Sequence, residues 1–365
     1  MRSIKLKITS LWGAICQDDV WLAVFIAFVV IGIALFIGWD NNKLIPAYPN
    51  PHYHYLSSNP LSFISNWDGP NYLKIARHGY LNYFYTSFFP LYPLLIKAVS
   101  FVFTSYLLSA LFISWICFVG AIYFFIRILR TMGVLDKGKN GLKPAMFLVL
   151  FPTAVFFVAT YTESLFAFIS LLAIYLTLEK KYLWLPLLMM LIALCHITGV
   201  FVVLLIALML LEQKAEVRYL VMELSGGALG ILGFMAYLKY RFNNPFAFFS
   251  SQTHLHGWFL HNYLTLITKT SVLNLVLVAL IIIAAVYYWK RKRSFSIYSM
   301  LFLLIPIAGK QFGGFNRYVL MAFPVQFMLY EYFNNKKSAY PYILAAMAIV
   351  WAYTVLQYAG GYIGS

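Results

Sequence analysis

The chain has 365 residues, of which 62% are hydrophobic and only 10% are charged. Soluble domains carry about 25% charged residues, so this composition excludes an ordinary water-soluble protein. The formal net charge of +16 would suit a nucleic-acid partner, but the basic residues gather in short segments between apolar runs. That distribution is typical of cytoplasmic loops in membrane proteins, and it predicts contact with membrane lipids rather than with nucleic acid.

The apolar runs are long enough to cross a bilayer as helices. A hydrocarbon core of about 30 Å needs about 20 apolar residues per helix, and only helices or closed barrels satisfy the backbone in lipid. Barrel strands alternate polar and apolar residues, whereas these runs are continuous, so we predict an all-α polytopic membrane protein. The runs without Asp, Glu, Lys or Arg are 21–38, 98–126, 144–162, 182–211, 272–289 and 338–365.

The basic segments fix the predicted topology. Most of the 27 Lys and Arg residues fall in six segments, which the positive-inside rule places in the cytoplasm. In chain order these segments are 2–7, 127–143, 180–181, 214–218, 290–293 and 336–337.

The predicted elements alternate across the membrane from this starting point. We expect about eleven transmembrane helices in a single membrane domain that covers 1–365. The run at 88–103 is predicted as a juxtamembrane helix, because a span there would place the next basic segment outside. In chain order we predict a first helix at 20–38, a first external loop with juxtamembrane helices at 39–105, a span at 106–127, hairpins at 144–178 and 182–211, a second external loop at 239–270, a short external loop at 309–317 and a last span at 339–357.

This topology places few acidic residues on the external side. Of the eleven Asp and Glu residues, only Asp40, Asp68 and Glu163 face outward, whereas all seven histidines lie outside or at external helix ends. The unusual ionisable groups are therefore concentrated on one face of the membrane, where we expect the functional site.

Asp68 lies in the segment 66–80, Asn-Trp-Asp-Gly-Pro-Asn-Tyr-Leu-Lys-Ile-Ala-Arg-His-Gly-Tyr. Pro70 is a good helix start signal, and apolar residues then recur on one face, as in a helix on the membrane surface. In one interpretation Asp68 caps this helix and Trp67 anchors it at the interface. In the other, Asp68 is a general base held where the reactive end of an amphipathic lipid lies.

Glu163 is the only acidic residue between Asp136 and Glu179, and it lies at the tip of an apolar hairpin. An ionisable residue in that position is a candidate for function. The alternative is structural: Thr162 or Ser164 begins the returning helix, and Glu163 interacts favourably with the helix dipole.

Arg317 follows Gly-Gly-Phe-Asn at 313–316, at the external end of a helix, with Lys310 one or two turns away. A displacement at a sugar phosphate releases a phosphate, which arginine binds through paired donors. Alternatively, Arg317 extends its charge to the interface. Arg77 and His78, which follow Asp68 in sequence, are alternative phosphate partners.

Two blocks of sequence carry a resemblance to a known family. The first comprises Trp67-Asp68, Tyr72-Leu73, Ile75-Ala76, Gly79-Tyr80 and Phe-Phe-Pro-Leu-Tyr-Pro at 88–93, and the second comprises Phe151-Pro152 and Ala-Thr-Tyr-Thr-Glu-Ser-Leu-Phe at 159–166. Gly199, Arg-Tyr-Val-Leu at 317–320 and Phe323-Pro324 match more weakly. These blocks resemble the second mannosyltransferase of GPI-anchor assembly, the PIG-V-like family, and its bacterial relatives.

The resemblance implies a membrane glycosyltransferase of the GT-C superfamily. Such proteins have an acidic catalytic residue in the first external loop, which is the position of Asp68, and use a polyprenyl- or dolichyl-phosphate sugar as donor. The family often has an arginine where this chain has His196, so acceptor recognition departs from the family pattern there.

We therefore expect a mannosyltransferase that moves a sugar from a polyprenyl-phosphate donor to a hydroxyl of a lipid or glycan acceptor, with inversion. The expected location is a bacterial plasma membrane, with the active site facing the exterior. We expect a monomer without a required cofactor, although the external histidines His254, His256 and His261 leave a divalent metal open. The expected site residues are Asp68 as base, Arg317, Lys310, Arg77 and His78 for the donor phosphate, and Trp67, Tyr72, Glu163 and His196 on the acceptor side.

Three alternatives stay open at this point. Asp40 competes with Asp68 for the role of base, because it also faces outward. A transporter or flippase of lipid-linked sugars would use the same basic groups, although the internal repeats common in transporters are absent from the sequence. A membrane O-acyltransferase would use an intramembrane histidine, for which His196 is the candidate.

Overall fold

The computed structural model describes residues 19–44, 59–136, 138–254, 271–309, 312, 314–336 and 338–360. These residues form helices and turns without any strand, which confirms the all-α prediction for this part of the chain. The helices are α1 (Asp19–Leu44), α2 (Gly69–His78), α3 (Leu91–Phe103), α4 (Tyr106–Thr131), α5 (Leu142–Val149), α6 (Glu163–Leu178), α7 (Leu185–Cys195), α8 (Gly199–Glu212), α9 (Val217–Phe242), α10 (Ala247–His254), α11 (Val272–Tyr288), α12 (Arg293–Leu301), α13 (Leu304–Gly309), α14 (Phe315–Val319), α15 (Phe323–Asn334) and α16 (Tyr340–Ala359). Short 3-10 helices cover Ser62–Ser65, Tyr83–Ser87, Ala154–Phe157 and Tyr182–Trp184.

Most predicted helices lie where the sequence places them. Helices α1, α4 and α16 cover the predicted spans at 20–38, 106–127 and 339–357. The predicted helix at 88–103 begins at Leu91, directly after Pro90. The apolar run at 182–211 is divided into α7 and α8 by a break at 196–198, which is the predicted tip of that hairpin.

The number of membrane spans differs from the prediction. Four helices among the described residues are long and apolar enough to cross a membrane: Asp19–Trp39, Tyr106–Thr131, Val217–Phe242 and Tyr340–Ala359. The other apolar helices have 10–17 residues, and at a rise of 1.5 Å per residue they reach at most about 25 Å, short of the ~30 Å core. The prediction of about eleven spans is therefore not confirmed. The four long helices indicate an integral membrane protein.

The segment 144–162 is the largest local departure from the prediction. The predicted ascending helix ends at Val149, and the chain then reaches Glu163 with only the 3-10 helix Ala154–Phe157. Pro152 lacks a backbone donor and disfavours helix at the residue before it. Phe151 and Tyr161 are nevertheless fully buried. Irregular backbone is tolerated at membrane depth where it is buried in protein, so this segment enters the interior instead of forming an exposed tip.

Glycines allow α9 to lie directly against α7. A Cβ atom at Gly226 would lie 2.1 Å from the carbonyl oxygen of Pro186, and one at Gly230 would lie 2.6 Å from that of Met190. Small residues at such contacts let two helix backbones approach closely. A Cβ at Gly233, one turn further along α9, would meet nothing within 4 Å.

An ion pair joins α1 to α4 at the end predicted to be cytoplasmic. The Nε and Nη2 atoms of Arg130 donate to the two carboxylate oxygens of Asp19, each at 2.8 Å. Paired hydrogen bonds of this kind fix geometry as well as charge. The ion pair therefore fixes how α1 and α4 are aligned at this end.

Candidate active site

Asp68 stands at the start of α2, directly after an uncommon backbone turn. Trp67 has a φ of 60°, in the left-handed region that large side chains rarely adopt. Pro70 lies in the first turn of α2, as predicted, but the Asp68 side chain makes no capping hydrogen bond. The geometry therefore does not support the interpretation of Asp68 as a helix cap.

The backbone around Asp68 is held by two distant parts of the chain. The Asn66 side-chain amide donates to the carbonyl oxygens of Tyr358, at 3.1 Å, and Ala359, at 3.3 Å, at the end of α16. The Tyr161 hydroxyl donates to the carbonyl of Asn66 and accepts from the backbone N–H of Asp68, both at 3.1 Å. These bonds set where the Asp68 carboxylate can lie.

Gly69 permits this close contact. A Cβ atom there would lie 2.4 Å from the Thr160 hydroxyl oxygen and 2.7 Å from that of Ser65. The Thr160 hydroxyl donates to Ser65 at 2.7 Å. A side chain at position 69 would push this bond and the start of α2 apart.

Arg317 lies between the carboxylates of Asp68 and Glu163. Its Nη1 donates to Oδ2 of Asp68 at 2.5 Å, and its Nε lies 2.9 Å from Oε1 of Glu163. The second contact is an ion pair by distance, but its N–H does not align as a hydrogen bond. The structure therefore brings three predicted site residues together, which we call the acid–arginine cluster.

Exposure distinguishes the members of the acid–arginine cluster. The Asp68 side chain is 14% exposed, that of Arg317 is 5% exposed and that of Glu163 is fully buried. Asp68 is therefore the carboxylate that can meet a substrate. Glu163 can act on the reaction only through Arg317.

Tyrosine rings enclose the guanidinium group. Its carbon lies 5.3 Å from the ring centre of Tyr161 and 5.1 Å from that of Tyr318, distances typical of cation–π contacts. Nη2 also donates to the Tyr318 hydroxyl at 3.3 Å. Tyr72 packs against Tyr161 with ring centres 6.4 Å apart. Burial raises the pKa of Tyr72 and the charge of Arg317 opposes that rise, so this hydroxyl stays neutral.

His196 occupies the turn between α7 and α8. Its Nδ1 accepts from the Thr198 backbone N–H at 3.2 Å and lies 2.8 Å from the Thr198 hydroxyl, which assigns the ring proton to Nε2. Burial and, secondly, the charge of Arg317 lower the pKa of His196 to about 3. The ring packs against Tyr318 at 5.3 Å, so His196 is a neutral neighbour of the acid–arginine cluster.

Arg77 and His78 do not join the cluster. Both are exposed in the last turn of α2, and Arg77 lies nine residues after Asp68, which corresponds to about 14 Å along the helix axis. A contact of Arg77 or His78 with the donor phosphate therefore stays a prediction.

Other candidates fall outside the described part of the structure. Lys310, His256 and His261 are not described, and for Asp40 and His254 only the helical backbone is described. Within the described ranges, no group of three or more His, Cys, Asp or Glu side chains is arranged to hold a metal ion.

The predicted site residues did not include the groups that position Asp68, which are Asn66, Tyr161 and Tyr358. Asn66 directly precedes the first sequence block and Tyr161 lies inside the second, so their closeness to Asp68 and Glu163 was a usable signal. Tyr358 carries no such signal, since it is one of 28 tyrosines and lies in the last apolar helix.

Comparison with known proteins gives a family match and a likeness to solved structures. Residues 47–225 match the family described as mannosyltransferase (PIG-V), and this segment contains Asp68 and Glu163 but not Arg317. None of the curated proteins matches the sequence significantly. The crystal structure of the Archaeoglobus fulgidus oligosaccharyltransferase, in complex with zinc and sulfate, aligns with a TM-score of 0.45 and 14% identity, over 92% of this chain and 53% of that one. The chain thus spans about half the length of that protein.

The long apolar helices indicate a membrane protein, and its residues 47–225 match the family of PIG-V mannosyltransferases. The resemblance found in the sequence blocks is thereby confirmed.

Glu163→Gln and His196→Ala are expected to reduce turnover less than loss of Asp68 does. Glutamine keeps the shape of Glu163 and leaves Asp68 and Arg317 as a matched pair, so we expect a stability loss of about 1 kcal/mol. His196 carries no charge to leave unpaired. Expression level, melting temperature and the Michaelis constants for donor and acceptor are the measurements. If neither variant accumulates in membranes, both residues are structural and the acceptor-side assignment is wrong.

Proposed function

We propose that the chain is a GT-C type mannosyltransferase that uses a polyprenyl-phosphate sugar on the non-cytoplasmic side of the membrane, with Asp68 as the base. The observation that carries this proposal is the acid–arginine cluster, in which the Asp68 side chain is the most exposed member. The family match over residues 47–225 supports the sugar chemistry. The nature of the lipid acceptor or glycan acceptor is left to experiment.

The proposed reaction is a single displacement. The acceptor hydroxyl gives its proton to the Asp68 carboxylate as its oxygen attacks the anomeric carbon. The bond between that carbon and the phosphate oxygen breaks, and polyprenyl phosphate leaves with the electron pair. Attack opposite to the leaving group inverts the anomeric centre, so a β-linked donor gives an α-linked product.

In this proposal Arg317 has a role other than the expected one of binding the donor phosphate. Its contacts in the structure go to Asp68, Glu163 and tyrosine groups, so its charge is already matched by carboxylates. In the proposal it orients Asp68, which lowers the cost of reaching the reactive geometry. The donor phosphate then needs a further cation, and Lys310 or another basic residue would supply it.

The acceptor side is proposed to be formed by Trp67, Tyr72 and His196. Tyr72 and His196 lie around the acid–arginine cluster as neutral groups, and Trp67 directly precedes the base. Neutral hydroxyl and Nε2–H groups bind sugar hydroxyls without competing for the charge of Arg317.

The proposed sidedness predicts a labelling pattern. A cysteine at position 77, an exposed position of α2, is expected to react with an impermeant maleimide from outside, and a cysteine at position 291 only after the membrane is opened. Both positions are exposed in the structure, so access is set by the side of the membrane. A label that reaches position 77 from the cytoplasm contradicts the proposed orientation.

Reconstituted protein tests the function itself. Proteoliposomes receive a radiolabelled mannosyl-phosphoryl-polyprenol and a lipid extract that contains the acceptor. The proposal expects labelled product and free polyprenyl phosphate in wild-type vesicles. Movement of the donor across the bilayer without product would instead identify a flippase. Transfer of an acyl group from a labelled acyl donor, in a parallel sample, would identify an acyltransferase.

A further inference from the structure

A separate apolar cavity lies beside the acid–arginine cluster. Its volume is about 480 Å³, within the roughly 300–1,000 Å³ common for ligand sites. Its walls come from α2, α3, α7 and α9, and among its lining residues are Ile75, Leu94, Lys97, Leu194, Gly233 and Phe234. Asp68, Arg317 and Glu163 are not among them.

The cavity is built on helices that also carry or border the candidate active site. Ile75 lies two turns after Asp68 on α2, and Leu194 lies two residues before His196. Tyr92 of α3 packs against Tyr72 at 5.3 Å, on the side of α3 that faces the cluster. The cavity is therefore bounded by helices that also pack around the acid–arginine cluster.

The rim of the cavity reaches the outer surface of the helices. Leu94 is 61% exposed and Leu229 is 66% exposed, and both line the cavity. The space beside α9 is open because Gly233 carries no side chain and nothing lies within 4 Å of its Cβ position. An apolar chain can thus enter from the surrounding lipid.

Lys97 is the one charged residue among those lining the cavity. It is also the only charged residue of α3. An exposed cation on an apolar wall attracts an anionic head attached to an apolar chain. Because Arg317 is already paired with two carboxylates, Lys97 is a cation available to a phosphate.

We propose that this cavity holds the isoprenoid chain of the lipid-linked donor next to its phosphate, with Lys97 as a partner of that phosphate. The inference rests on the proposed function for the identity of the donor. It assigns the isoprenoid chain of the donor to the face formed by α3 and α9.

Photolabelling tests the cavity without requiring turnover. The probe is a long-chain polyprenyl phosphate with a diazirine on the isoprene unit nearest the phosphate, added to the full chain in nanodiscs. We expect labelled peptides from 75–97 and 229–237. Gly233→Phe fills the cavity and is expected to lower labelling at least tenfold, because the ring takes the place of several apolar CH₂ groups of the bound chain. Gly32→Phe is the matched control, because Gly32 lies in α1 and also has nothing within 4 Å.

Lys97→Met tests the charge. We expect this variant to label more weakly with the polyprenyl phosphate probe and equally well with the neutral polyprenol probe. If wild type and Lys97→Met label equally with both probes, Lys97 does not bind the phosphate. Circular dichroism and melting temperature of Gly233→Phe and Lys97→Met show whether each variant is folded.

The outcomes separate this inference from the proposed function. If wild-type protein transfers sugar but labelling is the same in Gly233→Phe and Gly32→Phe, the cavity assignment is wrong and the function stands. If the probe labels the cavity but no sugar is transferred, the site stands and the function fails. Equal competition by ordinary phosphatidylglycerol identifies a general lipid site and overturns the assignment to the donor.

Discussion

Arg317→Met is expected to destabilise the protein by about 3–5 kcal/mol, because it leaves Asp68 and Glu163 without their shared counter-charge. Methionine roughly conserves length and apolar contact with Tyr161 and Tyr318, so the lost charge dominates the effect. The measurement is the midpoint of thermal and denaturant unfolding in detergent. We expect Arg317→Lys to recover part of the loss, since lysine restores the charge without the planar fork.

Two further variants make the Arg317 prediction specific. Arg218→Met removes an arginine whose pair with Glu216 is mostly exposed, and exposed pairs contribute only about 0–1 kcal/mol. The double variant Arg317→Met/Glu163→Gln removes one of the two stranded carboxylates and is expected to be more stable than Arg317→Met. An Arg317→Met protein as stable as Arg218→Met contradicts the ion-paired cluster.

Asp68→Asn is expected to lower turnover by about a hundredfold or more, which is the usual contribution of a general base. The asparagine oxygen still accepts from Nη1 of Arg317 and Glu163 still balances the charge, so the stability loss is expected to be about 1–2 kcal/mol. Turnover in proteoliposomes and melting temperature are measured on the same preparation. Donor binding is expected to survive.

Two controls decide whether the loss belongs to Asp68. Asp136→Asn removes an exposed carboxylate that pairs with Lys139 at 2.5 Å, and it is expected to keep wild-type turnover. Asp40→Asn tests the remaining competitor for the base. Near-normal transfer by Asp68→Asn together with inactive Asp40→Asn would assign the base to Asp40, and activity in both would remove the carboxylate base altogether.

The members of the cluster could be found in the sequence, but their contact could not. Asp68, Glu163 and Arg317 each stood out as an ionisable group at the external end of an apolar segment. Asp68 and Arg317 are 249 positions apart, and no local pattern encodes which distant charges meet. The same reasoning placed Arg77 and His78 beside Asp68, because sequence closeness ignores the rise of the helix between them.

In the fold, too, the sequence predicted where the long helices lie but not where a helix breaks. The continuous apolar runs predicted helices α1, α4 and α16 because hydrophobicity over about 20 residues reports a lipid environment. The same runs do not report where a helix breaks. The segment after Val149 is as apolar as a span, yet Pro152 ends the helix and the fold buries the irregular backbone.

The anomeric configuration of the product tests the central claim most directly. Purified wild-type protein in proteoliposomes is given a β-linked mannosyl-phosphoryl-polyprenol, and the one-bond carbon–hydrogen coupling at the anomeric position of the product is measured by NMR. A single displacement assisted by the Asp68 base predicts an α-linked mannoside, formed at least about a hundredfold more slowly in the Asp68→Asn sample. A β-linked product would contradict the account, because retention requires two displacements and a carboxylate that acts as nucleophile instead of base.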